Sequence, residues 1–235
     1  MKQLLKLPER LAAIAGFIEN GASVADIGTD HGFVPVYLAQ NGLARRIIAS
    51  DMSAASLETA RGTAKKHGVA DNIEFITAQG LAGIGEHDAD TVVISGLGGE
   101  TIAGIIRDAP WTRRSDMRLI LQPQSKINEL CRYLHLCGYA LIGAKLARDS
   151  GRLYIAMLVC GGNSDSGLEP ELELLTRLMQ SGDPLLADYF DELIAKTRLA
   201  LEGMKSSGSP EILEMALRLS VYISMKEVHD NANRK

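Results

Sequence analysis

The chain has 235 residues, 46% hydrophobic and 23% charged, which is typical of a globular protein with one large domain and a small appendage. Its net charge of −4 argues against indiscriminate nucleic-acid binding, and no segment approaches the about 20 apolar residues of a membrane-spanning helix. The first ten residues are too poor in apolar residues for a signal peptide, and the three cysteines show no C-x-x-C spacing. We therefore expect a cytoplasmic protein without a disulfide framework or a metal site.

The first half of the chain alternates between predicted helices and strands. Apolar residues at helical spacing predict a lead-in helix over residues 4–19. Short apolar runs bounded by turn residues then predict strands, with a helical pattern after each of the first two. The predicted strands are 23–27, 46–50, 72–77 and 89–95, and the two helices are 31–40 and 53–67. Such alternation predicts a mostly parallel sheet covered by helices on both faces.

The second half continues this alternation and then changes character. A helix through Ile106, a strand over 118–121 and a helix over 128–137 precede two strands, 139–146 and 153–160. Because a short turn joins that last pair, we expect it to form an antiparallel edge of the sheet.

A glycine- and serine-rich segment, 161–167, has the composition of a linker. It predicts a domain boundary between residues 1–162 and 163–235. Three helical patterns follow, over 169–180, 184–204 and 209–228, and a frayed tail over 231–235. The apolar stripes of the last two patterns predict an antiparallel helix pair.

The turn after the first strand carries the most informative residues. Asp26, Gly28 and Asp30 follow an apolar strand, and Asp51 ends the next one, where an acid can bind ribose hydroxyls. Gly28 lets a ligand approach the backbone, whereas Asp30 would repel a pyrophosphate. S-adenosylmethionine (SAM) carries a sulfonium and an ammonium and no phosphate, so these carboxylates suit it. The alternative is that they are ordinary turn and cap residues.

Several further loops follow strand ends, and the carboxyl ends of parallel strands lie at one edge of a sheet. These loops are residues 78–80, 95–100 and 122–124. The glycines of 96–99 would let a ligand approach closely, although a tight strand-to-helix turn explains them equally simply.

Residues 105–162 form a basic segment in an otherwise acidic chain, with nine Lys or Arg against four acids. This distribution favours a local phosphate-bearing partner, and Arg113 and Arg114 are our candidate RNA contacts. Trp111, in the same segment, and Tyr37 are candidates for stacking on a base. A solvated charged face is the alternative for the basic segment, and core packing for Tyr37.

Five motifs in this order resemble the bacterial tRNA (adenine(22)-N1)-methyltransferases. The motifs are Asp26–His31, Ile94–Gly99, Leu121–Pro123, Gly151-Arg152 before Tyr154, and a final helical pair. The resemblance implies a Rossmann-like class I SAM-dependent methyltransferase domain with a small C-terminal α-helical, coiled-coil-like domain that helps to hold tRNA. It also implies methyl transfer to N1 of an adenosine, with tRNA as partner. From the residues themselves we expect neither a metal nor a membrane, and the sequence leaves open whether the protein is a monomer or a homodimer.

The resemblance further implies roles for individual residues. Those expected to bind SAM are Asp26, Gly28, Asp30, His31, Asp51, Met52, Gln79, Gly80, Ser95 and Gly96. Those expected on the target-base side are Leu97, Gly98, Gly99, Gln122 and Pro123. Asp30, Gly96 and Gly98 are the expected catalytic residues. No general base is expected, because N1 of adenine has a free lone pair, so alignment and electrostatics would supply catalysis.

The chain departs from the family pattern at Gln79, Gln124 and Ile155, where the family usually has Asp, Asn and Glu. Other functions therefore stay open. A SAM enzyme for a small metabolite predicts a closed pocket, and a SAM- or RNA-binding protein without activity predicts binding without turnover. An NAD-linked oxidoreductase is disfavoured because Asp30 lies where a pyrophosphate would bind.

Overall fold

A computed structural model describes residues 4–162, 167–205 and 211–232. Seven strands form one sheet. They are β1 (Ala22–Ile27), β2 (Ala44–Asp51), β3 (Glu74–Thr77), β4 (Thr91–Gly98), β5 (Arg118–Ser125), β6 (Tyr139–Asp149) and β7 (Arg152–Gly161). Their order is β3-β2-β1-β4-β5-β7-β6, in which β1 to β5 are parallel and β7 runs antiparallel to both β5 and β6. The predicted parallel sheet with an antiparallel edge is confirmed.

Helices connect and cover these strands. They are α1 (Glu9–Ala15), α2 (Phe33–Asn41), α3 (Ala54–His67), α4 (Gly99–Arg107), α5 (Ile127–Leu136), α6 (Pro170–Ser181), α7 (Leu186–Lys205) and α8 (Ile212–Ala232). Helices α1, α2 and α3 contact one another in sequence, and so do α4, α5 and α6. Right-handed crossovers in opposite directions from the central strand place these two groups on opposite faces of the sheet. Every residue of β1 is buried, as expected for a strand covered on both faces.

Several element boundaries differ from the prediction, and three of them bear on the site. The lead-in helix is shorter than residues 4–19 because it begins only after Pro8, which precedes its first turn. Strand β4 continues past Ser95 to Gly98, and β5 continues past Leu121 to Ser125. Bulges in their pairing near Leu97 absorb the glycines, so residues 96–98 and 122–124 belong to paired strand ends and are not free loops.

The chain divides into two compact units, residues 1–181 and 182–235. Helix α6 therefore belongs with the sheet, where it contacts α5 and β6, and the composition-based boundary after Gly162 lies earlier than this division. The difference arises because α6 buries Leu174, Leu175 and Leu178, which a linker composition upstream does not reveal. Part of the predicted linker (163–166) and of the predicted tail (233–235) lies outside the described residues.

The second unit contains the predicted antiparallel helix pair. Asp191, near the start of α7, is ion-paired with Lys226, near the end of α8. The rings of Phe190 and His229 also lie 6.4 Å apart, which is consistent with that direction. Over the described residues, no helix is long and apolar enough to cross a membrane.

Candidate active site at the carboxyl edge of the sheet

A cavity of about 520 Å³ lies where β1, β2, β3 and β4 end. This is the edge at which open α/β sheets bind ligands, and the volume is within the range of small-molecule sites. Many of the predicted site residues line it. They are Asp26, Gly28, Asp30, His31, Asp51, Met52, Gln79, Gly80, Ser95, Gly96 and Leu97.

The turn after β1 is held against the end of β2 by backbone hydrogen bonds. The N–H groups of Gly28 and Thr29 both donate to the carbonyl of Ser50, at 2.8 and 3.0 Å. Gly28 has a φ of 71°, in the left-handed region that glycine adopts without strain. A side chain at this position would therefore be strained, and the backbone stays open to the cavity.

Asp51 connects this turn to the one after β2. Its two carboxylate oxygens accept hydrogen bonds from the backbone N–H groups of Asp30, at 3.1 Å, and Ser53, at 2.9 Å. Ser53 also caps α3, since its hydroxyl accepts from the N–H of Ser56. Because backbone groups fix the Asp51 carboxylate, its remaining lone pairs point in defined directions for a ligand.

Asp26 is the buried acid of the site. Its exposed fraction is 4%, and it accepts a 2.7 Å hydrogen bond from the hydroxyl of Thr29. Burial raises the pKa of Asp26 from 3.8 to about 6; the Thr29 hydrogen bond lowers the pKa, and the charge of Asp51 raises it. A carboxylate held near such a pKa is stabilised in its ionised form by a bound cation.

Asp30 and His31 lie at the mouth of the cavity. Their side chains are 68% and 55% exposed, and the His31 Nε2 atom lies 3.5 Å from the Asp30 Oδ2 atom. The His31 ring stacks on Phe33, with centroids 5.4 Å apart. Asp30 has a φ of 49°, so its backbone N–H turns toward Asp51 while its carboxylate faces solvent. The mouth therefore presents a carboxylate and an aromatic surface together.

Gln122 acts in a different place from the one predicted. It is fully buried, its Oε1 atom accepts a hydrogen bond from the N–H of Gly96 at 3.2 Å, and its Nε2 atom donates to the carbonyl of Pro123. Pro123 is buried too, and neither it nor Gly98 nor Gly99 lines the cavity. This part of β5 fixes the shape of the Gly96 backbone, and only Gln124 reaches the cavity.

Arg113 and Arg114 lie at the opposite edge of the sheet. They immediately precede the start of β5, and Arg114 donates to the carbonyl of Glu86 and is ion-paired with Asp116 at 2.6 Å. They do not line the cavity. Their contact with RNA stays a prediction, which the structure places away from the cavity edge.

Several cavity residues were not predicted from the sequence. They are Arg10, Leu11, Phe33, Val34, Ser56, Thr101 and Ile105. Arg10 is the charged residue of this group. It lies far in the sequence from the strand-end loops that form most of the cavity. It reaches the cavity because α1 packs against β6 and β7, where the Arg10 Nε atom lies 3.3 Å from the Asp149 Oδ2 atom. Sequence spacing carries no signal for that contact.

Other candidates divide between the site and the core. Trp111 lines a neighbouring cavity of about 490 Å³ along α4, which shares Gln79, Gly80, Thr101 and Ile105 with the first. Tyr37 packs against the core, and Ile155 is buried in β7. Among residues 4–162, 167–205 and 211–232, no three His, Cys, Asp or Glu side chains are placed to hold a metal ion.

Comparisons with known proteins place this geometry in context. A family described as "Methyltransferase domain" matches residues 7–157. The tRNA (adenine(22)-N(1))-methyltransferase of Bacillus subtilis is 32% identical over 70% of this chain and 69% of that protein. The crystal structure of the B. subtilis M1A22 tRNA methyltransferase TrmK has a TM-score of 0.82 at 26% identity, covering 94% of this chain and 99% of that one.

A second solved structure has the same fold. Streptococcus pneumoniae Sp1610, in complex with S-adenosyl-L-methionine, has a TM-score of 0.80 at 23% identity. The match covers 94% of this chain and all of that one, so the likeness includes the C-terminal helices.

Proposed function

Since the chain belongs to the methyltransferase domain family, we propose that it transfers a methyl group from SAM to N1 of an adenosine in tRNA, namely adenosine 22. The observation that carries this proposal is the cluster of Asp26, Asp30 and Asp51 at one end of the cavity, in a chain similar over 70% of its length to an enzyme with that activity. The proposed substrate places the enzyme in the cytoplasm.

The residues of the cavity suit SAM group by group. The buried Asp26 carboxylate favours the ammonium and sulfonium charges, because a cation lowers its cost of ionisation. Asp51 has lone pairs left for two ribose hydroxyls after accepting its two backbone hydrogen bonds. The amide of Gln79 can accept from the amino group of adenine. Arg10 gives the cavity a cation for the methionine carboxylate.

The same residues disfavour a phosphate-bearing dinucleotide. A pyrophosphate binds at a helix N-terminus where bare N–H groups face it. Here the N–H of Asp30 is already bonded to the carboxylate of Asp51, and the Asp30 side chain adds a second negative charge at the mouth. An NAD-linked function is therefore not supported.

The proposed reaction needs alignment more than proton transfer. SAM supplies an electrophilic methyl group, and N1 of adenine has a free lone pair, so nothing must be deprotonated before attack. The His31 and Phe33 rings give the mouth an aromatic surface against which an unpaired base can rest. As N1 gains the methyl group the base becomes positively charged, and the exposed Asp30 carboxylate stabilises that charge.

The exposure of the mouth favours a large substrate over a small metabolite. Met52 is 73% exposed, and the side chains of Asp30 and His31 are more than half exposed. A metabolite enzyme predicts a pocket that encloses its substrate, whereas an open mouth can receive a base presented on a folded RNA.

The test is incubation of the chain with SAM and unmodified tRNA, followed by mass spectrometry of the nucleosides. We expect 1-methyladenosine, and we expect it to disappear when adenosine 22 is replaced by guanosine. Asp30→Asn is the matched variant, because asparagine tolerates the same positive φ while lacking the charge. It should bind S-adenosylhomocysteine (SAH) normally and transfer the methyl group about 100-fold more slowly.

Two results would contradict the proposal. SAH binding without methylation of any tRNA would indicate a binding protein, and methylation that persists in the adenosine 22 variant would indicate another target nucleotide.

A further inference from the structure

We propose that the tip of the β6–β7 hairpin, residues 148–152, is a phosphate-binding surface that positions tRNA over the cavity. Arg152 is the contacting residue. The inference rests on the proposed function, which supplies the tRNA. It concerns the cavity edge of the sheet, whereas Arg113 and Arg114 lie at the other edge.

The sheet register places this tip at the carboxyl edge. Strand β7 runs antiparallel to β5, with Leu121 opposite Met157 and Arg118 opposite Cys160. Moving from Met157 toward Arg152 along β7 therefore means moving toward the carboxyl end of β5. The tip thus projects from the same edge of the sheet as the cavity.

An ion pair fixes the tip beside the cavity wall. The Arg10 Nε atom lies 3.3 Å from the Asp149 Oδ2 atom, and both side chains are largely shielded, at 29% and 24% exposure. Arg10 itself lines the cavity. Asp149 lies opposite Arg152 in the β6–β7 ladder, so the tethered residue and Arg152 share one face of the hairpin.

The tip combines positive charge with exposure. Arg152 is exposed, whereas the charge of Asp149, which lies opposite it, is balanced by Arg10 from another helix. The hairpin tip is therefore a cationic site on a chain whose net charge is −4. Guanidinium groups bind phosphate oxygens through paired hydrogen bonds, which gives the contact direction as well as strength.

The experiment measures tRNA binding by the full chain at saturating SAH across a series of KCl concentrations. Arg152→Gln should weaken binding and lower the slope of log K against log [KCl] by about 0.7–0.9, the value for one lost phosphate contact. Arg148→Gln removes a charge from the other face of the hairpin and should lower the slope less than Arg152→Gln does. Arg152→Lys keeps the charge and should restore most of the slope.

Arg45→Gln is the matched control. Arg45 lies near the amino end of β2, where its side chain is 67% exposed and pairs with Asp90. Its replacement by glutamine also removes one positive charge. It should leave the salt slope unchanged. Calorimetric SAH affinity should be equal in wild type, Arg152→Gln and Arg45→Gln, which shows that the cavity is intact.

The outcomes separate this inference from the proposed function. If wild type methylates tRNA but Arg152→Gln and Arg45→Gln have equal salt slopes, the hairpin tip does not bind phosphate. The proposed function would then stand without this inference. The surface is also wrong if Arg152→Gln lowers SAH affinity as much as it lowers tRNA affinity. If wild type binds no tRNA, both proposals fail.

Discussion

Aspartates at the two edges of the sheet have different hydrogen-bond partners. At the carboxyl edge, Asp51 accepts backbone N–H groups and Asp26 accepts a hydroxyl, so both carboxylates stay free of arginine. At the amino edge, arginines bind the carboxylates directly: Arg46 pairs with Asp88 at 2.8 Å and Arg45 with Asp90 at 2.9 Å. A carboxylate oriented by neutral donors keeps its charge for a ligand, whereas one bound by guanidinium is already neutralised.

The pKa values of the aspartates also differ between the two edges, as their hydrogen-bond partners do. Hydrogen bonds from Arg46 and Arg114 lower the pKa of Asp88 and of Asp116 respectively, although Asp88 is only partly buried and Asp116 is exposed. Burial raises the pKa of Asp26 at the other edge. Acids with lowered pKa values are satisfied within the protein, and an acid with a raised pKa lacks a cation that a ligand can supply.

The largest effect that separates the edges is expected from Asp51→Ala. Two hydrogen bonds to a charged group contribute about 1.5–3 kcal/mol each, so SAH affinity should fall about a hundredfold or more. Asp88→Ala removes a carboxylate from the amino edge and should leave SAH affinity unchanged. Isothermal calorimetry measures both. Equal losses in the two variants would contradict the assignment of the cavity to SAM.

Alanine substitutions at two glycines, one near each edge, test whether a change in backbone packing affects SAH binding. A Cβ atom at Gly99 would overlap the carbonyl oxygen of Lys126, and one at Gly161 would overlap that of Arg113. Each alanine substitution should lower the free energy of unfolding by about 3 kcal/mol, as measured by urea denaturation. Only Gly99→Ala should also weaken SAH binding, because it shifts the β4 and β5 ends beside the cavity.

Gly62→Ala is the control for those two variants. Gly62 lies in α3 with open space around its Cβ position, so alanine should stabilise the protein by about 0.5–1 kcal/mol. Weaker SAH binding in Gly161→Ala would show that the two edges are not independent.

The effect expected from Asp26→Asn depends on pH. Between 3.8 and about 6, folded Asp26 holds a proton that the unfolded chain releases, so its contribution to stability is lost as pH rises through about 6. Asparagine avoids the cost of burying the charge and should raise the free energy of unfolding by at most about 3 kcal/mol near neutral pH. The gain should vanish below about pH 4.

Binding should show the opposite trend to stability. Because SAM favours ionised Asp26, wild-type SAH affinity should fall as pH drops below about 6, and the affinity of Asp26→Asn should be weaker and change less with pH. Calorimetry at several pH values measures these affinities. If Asp26→Asn bound SAH as tightly as wild type at neutral pH, Asp26 would not contribute to cofactor binding.

Local patterns were sufficient for much of the site. An apolar run followed by Asp26, Gly28 and Asp30 predicted a turn at a strand end, and the structure places all three at the cavity. Local patterns did not reveal contacts that depend on long-range strand pairing. Gln122 follows an apolar strand as the site residues do, but its partner is the N–H of Gly96 on the neighbouring strand. Nothing near Gln122 in the sequence encodes that partner.

The amino-acid sequence by itself determined the order of strands and helices and the acids that follow β1 and β2, because hydrophobic periodicity and turn residues act over a few neighbours. Only the tertiary structure decided which basic residues share an edge with those acids. Arg113 and Arg152 belong to one basic segment, yet β5 separates Arg113 from the cavity edge, and the return of β7 brings Arg152 there. Strand direction and the packing of α1, which set such distances, depend on contacts between residues far apart in the chain.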